Sequence, residues 1–213
     1  FVDNVSALEI YYNRKIKFIP HSWDPSILIN TNICRHKIKL KKYEFVIFEP
    51  NLSITKNCFF PIIIAKLLNS NTHIHVCCSN NHIKQKILHM FPKLSFSFHT
   101  RVNVYNFLKD LYNHDTIPVV LSHHLQNPYN YLSYELIYMN IPLIHNSRYL
   151  CKYGLFYNDN NLKVLTFKFK MWEKNHFKIS NNERGIILKD LNPKNEKNIK
   201  MLLSAFTFDT SPF

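Results

Sequence analysis

With 213 residues and 46% hydrophobic content, the chain is long enough for one sizeable domain with a real core, or for one and a half small ones. Its formal net charge of +13, from 27 Lys+Arg against 14 Asp+Glu, suits a polyanion or a phosphate-bearing ligand, and equally the Lys- and Asn-rich usage of an AT-rich genome. Only 2 glycines occur, Gly154 and Gly185, which excludes a GxGxxG dinucleotide loop and a P-loop; phosphate contacts are left to helix N-termini, Asn in turns and Lys or Arg.

The opening stretch VSALEIYYNRK reads as the last helix of a preceding domain, followed by a short strand at 15–19 and an exposed loop at 21–28. Residues 30–42 are basic and polar and read as a linker. This gives three segments: 1–40, the end of a preceding domain and linker; 41–175, a Rossmann-like domain; and 176–213, a carboxy-terminal extension and helix.

From residue 43 a regular alternation begins. Residues 43–48 predict a strand ending in Glu49-Pro50-Asn51. Ser53 can cap a helix over 54–68, in which Pro61 removes a backbone hydrogen bond and predicts a kink. A strand at 73–78, a helix at 81–90, a strand at 94–98 and a helix at 104–112 follow. The β-branched run 117–121 is a buried strand, and Ser122–Asn127 its exit loop. Pro128 fits the first turn of a helix over 129–139, with Asn140 in the left-handed cap position. Residues 141–144 form another apolar strand, followed by the loop His145-Asn146-Ser147. Five strands alternating with helices predict an α/β fold with a doubly wound, Rossmann-like parallel sheet. Beyond Gly154, 155–157 predicts a short last strand and 162–175 a helix, although 164–169 also alternates as a strand does. Residues 185–188 read as extended and 192–206 as a terminal helix with Pro193 in its first turn.

The 5 cysteines, Cys34, Cys58, Cys77, Cys78 and Cys151, contain no C-x-x-C pair and read as reduced core residues. No signal peptide is visible, and the longest apolar run, 58–65, is too short to span a membrane. A cytoplasmic or other intracellular location is expected.

Three loops leave the carboxyl ends of strands and should converge on one crevice, where parallel sheets hold ligands. They carry Glu49, Asn51 and Lys56, then His123, His124, Gln126, Asn127 and Asn130, then Asn146 and Ser147. Arg101 follows the strand at 94–98, and Glu135 lies on the helix. Cations with helix N-termini suit a diphosphate, and a carboxylate in a helix suits ribose hydroxyls. This describes a nucleotide-sugar site better than a hydrolytic one. Glu135 reads equally as a solvated helix residue, and Glu49-Pro50-Asn51 equally as a turn. His123 and His124 are adjacent on a strand end and point apart, with no third ligand at zinc spacing, so no metal is expected.

The stretch YELIYMNIPLIHNS (134–147), followed by GLFYND (154–159), resembles the donor-binding half of GT-B glycosyltransferases. FVIFEPN (45–51), SHHLQNPYNYLSYE (122–135) and PLIHNS (142–147), with HSWDP (21–25) before them, together resemble a little-characterised group of GT-B-like proteins of bacteria, phages and large DNA viruses. The resemblance covers about 15–160. It implies that Glu135 holds the donor ribose and that the loops near Lys56, Asn127 and Ser147 meet the diphosphate and sugar. It departs from the family pattern at Asn140, where a glycine is usual, and at Asn127, where an acidic residue is usual.

The resemblance therefore implies metal-independent transfer of a sugar, a hexose, from a nucleotide-sugar to a hydroxyl acceptor. The donor is a UDP-sugar used as substrate, with no resident cofactor. Its donor-binding residues are Glu135, Lys56, Asn51, Arg101, Asn127, Asn130, Ser147 and His123; catalytic residues and acceptor are unassigned. GT-B enzymes also need an amino-terminal acceptor domain, which is an expected partner. The alternatives are a non-enzymatic nucleic-acid-binding module, given the charge and the aromatics, or a degenerate transferase-like scaffold without activity.

Overall fold

A computed structural model describes residues 9–11, 28, 42–49, 56–125, 130–158, 161–175, 189, 192 and 194–206. The chain divides into two units, Pro25–Gly185 on the one hand and Phe1–Asp24 with Ile186–Phe213 on the other.

The first unit holds strands β1 (Lys42–Ile47), β2 (Ile74–Val76), β3 (Phe96–Phe98), β4 (Thr116–Ser122), β5 (Leu143–His145) and β6 (Leu155–Phe156). Between them lie helices α1 (Phe59–Leu68), α2 (Asn81–Met90), α3 (Val104–Asn113) and α4 (Tyr131–Tyr138), and after them α5 (Leu162–Lys174). The strands form one sheet in the order β3-β2-β1-β4-β5-β6. Every pairing is parallel. This is the doubly wound, Rossmann-like α/β fold that the alternation predicts.

The sequence explains the layering. All seven residues of β4 are buried, as a central parallel strand covered on both faces requires. On one face Phe45, Ile47, Ile74, Val76, Val119 and Leu121 pack against Ile62 and Ala65 of α1, Ile87 of α2, and Leu165 and Phe169 of α5. Removal of one such ring, Phe45 or Phe169, costs about 3–5 kcal/mol. On the opposite face Phe107 of α3 meets Phe48 edge-on.

Helix starts depend on asparagine. Asn80, Asn103, Asn130 and Asn161 each accept a backbone N–H of the first turn, from Ile83, Asn106, Leu132 and Val164 respectively. Each such cap contributes about 1 kcal/mol. Three expected boundaries move as a result. α4 begins at Tyr131 because Asn130 caps it, and Pro128 lies outside the described residues. α1 begins at Phe59, whose N–H donates to Asn57 Oδ1. Pro61 thereby falls in the first turn, where a missing N–H breaks no helical bond, and no kink is required. Ser53 lies outside the described residues. In the second unit the terminal helix α6 (Glu196–Phe206) begins later than expected, with Asn195 Oδ1 accepting from Lys197 N–H. The expected elements at 15–19, 21–28, 30–41 and 185–188 fall almost entirely outside the described residues.

α4 ends as its sequence predicts. Asn140 takes φ 65, with its N–H bonded to the Ile137 carbonyl and the Ile141 N–H to that of Leu136. This paired closure returns the chain directly into β5. Gly154 (φ +59) is a true glycine requirement: a Cβ there would lie 2.7 Å from the Leu143 carbonyl oxygen. Gly154→Ala is expected to lower unfolding free energy by at least about 2 kcal/mol, from left-handed strain plus a backbone clash between β5 and β6. Urea titration measures it; an unchanged midpoint would show that the close approach is not obligatory.

Candidate functional site

The strand order reverses between β1 and β4, and such a reversal is where parallel sheets of this kind hold ligands. Glu49 follows β1; Ser122, His123 and His124 end and follow β4; His145, Asn146 and Ser147 end and follow β5. Parallel pairing of β1 with β4 and of β4 with β5 sets these three ends side by side.

His124 is the hub. Asn146 clamps its backbone in both directions, accepting from the His124 N–H and donating to its carbonyl, each at 3.0 Å. Lys56 pairs with it in an isolated antiparallel bridge. Asn130 spends its Oδ1 on the α4 cap, and its Nδ2 lies 2.9 Å from His124 Nε2. Glu49, only 4% exposed, places Oε1 3.4 Å from the same Nε2.

Among the described residues, the buried side-chain polar atoms without a hydrogen-bond partner are Glu49 Oε2, Ser122 Oγ and His124 Nδ1. All three lie at the carboxyl ends of β1 and β4. Orphaned buried polar groups cost about 1–3 kcal/mol each, and their concentration in one place marks a site rather than a packing accident. One is a carboxylate oxygen, one a hydroxyl and one an imidazole nitrogen. Among the described residues, no group of three or more His, Cys, Asp or Glu is placed to hold a metal ion.

The other expected site residues are distributed unevenly. His123 turns away from His124, as adjacent residues on a strand end do. It is buried, stacks on Phe60 at 3.9 Å and bonds through Nδ1 to the Tyr157 hydroxyl at 2.8 Å. Its place is therefore in the packing between sheet and helices. Arg101 is exposed in the turn after β3, an edge strand two positions from β1. The backbone N–H of Ser147 donates to His145 Nδ1. Asn51 and Asn127 lie outside the described residues.

Glu135 is half-buried on α4 and not simply solvated: the Tyr105 hydroxyl of α3 lies close enough to its carboxyl to serve as a donor. Burial raises its carboxyl above the ordinary range, and the tyrosine's donor opposes that rise. Tyr105 is itself pushed up, by burial first and then by the neighbouring carboxylate. Sequence reasoning gave Tyr105 no role, because nothing in its spacing ties α3 to α4.

His145 shows the same local logic. Nε2–H donates to the Tyr153 carbonyl at 2.8 Å while Nδ1 accepts from Ser147 N–H, so both ring nitrogens are satisfied only in the neutral form. Burial lowers its pKa to about 4, with the Tyr153 carbonyl pulling the other way.

A second polar group lies on the sheet face under α3. His75 bonds to Glu44 Oε2 at 2.7 Å through Nε2 and to His99 Nε2 at 3.1 Å through Nδ1, and His73 bonds to Ser95 and Ser97. Burial would raise Glu44, but hydrogen bonds from His75 and Lys42 outweigh it and hold the carboxylate low. Burial and the proximity of His75 lower both His73 and His99. The two-residue spacing of 73 and 75 was the available signal; their meeting with 99 depends on strand pairing.

Two measurements test this chemistry. The unfolded chain takes up the His145 proton near pH 6.5 and the folded chain only near 4, so stability is full above 6.5 and falls as pH drops through that window. The loss from His145 is about 3 kcal/mol, and urea unfolding from pH 7 to 4 should show a shallower fall in His145→Gln. In Tyr105→Phe, Glu135 should titrate higher than in the native chain by carboxyl NMR, because a donor to the carboxylate is gone; an equal or lower value would mean the two groups do not meet.

Residues 2–205 match the family described as "Protein of unknown function (DUF2827)". No curated protein matches the chain.

Proposed function

The chain belongs to the DUF2827 family, and we propose that it binds a nucleotide-sugar in the β1–β4 crevice as the donor half of a GT-B-type glycosyltransferase. The observation that carries this reading is the set of three unpartnered buried polar atoms at the strand-order reversal. A nucleotide-sugar is rich in the hydroxyls that such a set can bind.

The parts divide by charge. A buried carboxylate repels phosphate, so Glu49, Ser122 and His124 Nδ1 suit the neutral sugar. The diphosphate suits the cationic side, at Lys56 and the N-terminus of α4. Glu135, already holding a hydroxyl donor in Tyr105, suits the ribose hydroxyls. In the reaction the bond from the sugar's anomeric carbon to the diphosphate oxygen breaks and one to an acceptor hydroxyl oxygen forms. The chain's contribution is to position the donor and to stabilise the charge developing on the departing diphosphate, with no metal. The acceptor comes from a separate acceptor domain.

Calorimetric titration with UDP, UDP-glucose and GDP-mannose tests the proposal. Saturable binding of a UDP ligand is expected, weakened in Glu135→Ala by about 1.5–3 kcal/mol, the value of a charge-assisted hydrogen bond. Glu49→Gln should weaken UDP-glucose while sparing UDP. No binding of any nucleotide by the native chain, together with steeply salt-dependent oligonucleotide binding, would overturn it in favour of a nucleic-acid module.

A further inference from the structure

α5 carries two apolar stripes, and the sheet uses one. Leu165 and Phe169 are buried against the core, with Trp172 partly buried beside them. Val164, Phe167 and Met171, at helical spacing on a different side of the same helix, are 42%, 68% and 48% exposed. At 3.6 residues per turn, Lys168 falls on one flank of this second stripe and Lys163, Lys170 and Lys174 on the other. All four lysines are exposed, and none forms an ion pair among the described residues. The one carboxylate of α5, Glu173, is half-buried near Tyr43. At 3.6 residues per turn it falls on the side of α5 away from the second stripe. Packed beside α5, α1 exposes Ile63, Leu67 and Lys66.

We propose that this face of α5 docks the protein on an anionic membrane surface, with Val164, Phe167 and Met171 entering the headgroup boundary and the flanking lysines meeting lipid phosphates and carboxylates. An apolar stripe bordered on both sides by lysines is the arrangement of a helix that lies in the interface plane. Lysine stems bury their methylenes while their ammonium groups stay at headgroup level. The charge selects the partner: four unpaired cations with no opposing carboxylate disfavour a neutral or basic protein surface and a second copy of the same face. The apolar content selects lipid over nucleic acid. Two of the three stripe residues are aliphatic or thioether chains, which insert into acyl boundaries but offer no ring for base stacking. No helix among the described residues is long and apolar enough to cross a membrane, so the contact is peripheral. It uses the outer surface of a helix and not the β1–β4 crevice, and stands independently of what that crevice binds.

The test is co-sedimentation of the full chain with phosphatidylcholine vesicles, with and without phosphatidylserine. Binding is expected to the phosphatidylserine vesicles, to fall in high salt, and to weaken at least about tenfold in Phe167→Ser/Met171→Ser and in Lys163→Glu/Lys168→Glu/Lys170→Glu. All five positions are exposed, so both variants should keep the native melting temperature and far-ultraviolet circular dichroism. Equal sedimentation of native chain and folded variants, or no binding to phosphatidylserine vesicles, overturns the proposal. Concentration-dependent dimerisation lost in Phe167→Ser/Met171→Ser, without vesicle binding, overturns it in favour of a second copy.

Discussion

The pairing of β1 with β4 is the contact on which the rest of the molecule depends. Five residue pairs in parallel register, from Lys42 opposite Thr116 to Val46 opposite Val120, hold the two halves of the sheet together. The strands on either side are added outward from this seam, β2 and β3 one way, β5 and β6 the other. Non-local parallel pairing is entropically costly to form, and it is secured here by burial of every residue of β4. The same register brings Glu49, some seventy positions away in sequence, within reach of His124.

A chain with 2 glycines must build turns and helix ends from other residues. Asparagine does this work at both ends of helices: four N-caps through its side-chain oxygen, and the left-handed position after α4 through its tolerance of positive φ. Asn130 and Asn146 go further. One amide oxygen starts α4 while the same side chain's nitrogen meets the His124 ring; the other side chain anchors His124's backbone. Helix nucleation, loop conformation and ring placement are thus joined in a few side chains. Of the 2 glycines, Gly154 sits where β5 and the start of β6 approach too closely for a Cβ.

The formal charge of +13 contrasts with the interior of the sheet end. There His145 is arranged for neutrality, accepting from one backbone group and donating to another. Positive charge is carried outside, on α5 and on the loops, where ammonium groups remain hydrated. A partly unsatisfied polar interior that holds a carboxylate suits hydroxyl-bearing ligands, and a cationic exterior suits anionic surfaces. The two halves of that contrast support the two functional proposals separately.

Local order was legible in the sequence because it arises from short-range causes. The β-branched run before Ser122, the helix read ahead of Asn140 and the Asn140 cap predicted strand, helix and turn in the order the structure has them, and the alternation predicted the doubly wound sheet. Ser53 and Pro128 read as markers of helix starts and Pro61 as a kink, but the start of α1 came from Asn57 and that of α4 from Asn130, and sequence could not rank these local signals. The convergence of the strand-end loops followed from topology, so Glu49, Lys56 and Asn130 were named in advance. What only the tertiary structure decided was which way each side chain faced: His123 into the packing and His124 toward Glu49, Tyr105 onto Glu135, and three separate histidines onto one another. A sequence fixes which residues alternate along a strand, but strand register and helix docking decide which of them meet, because those depend on contacts between residues far apart in the chain.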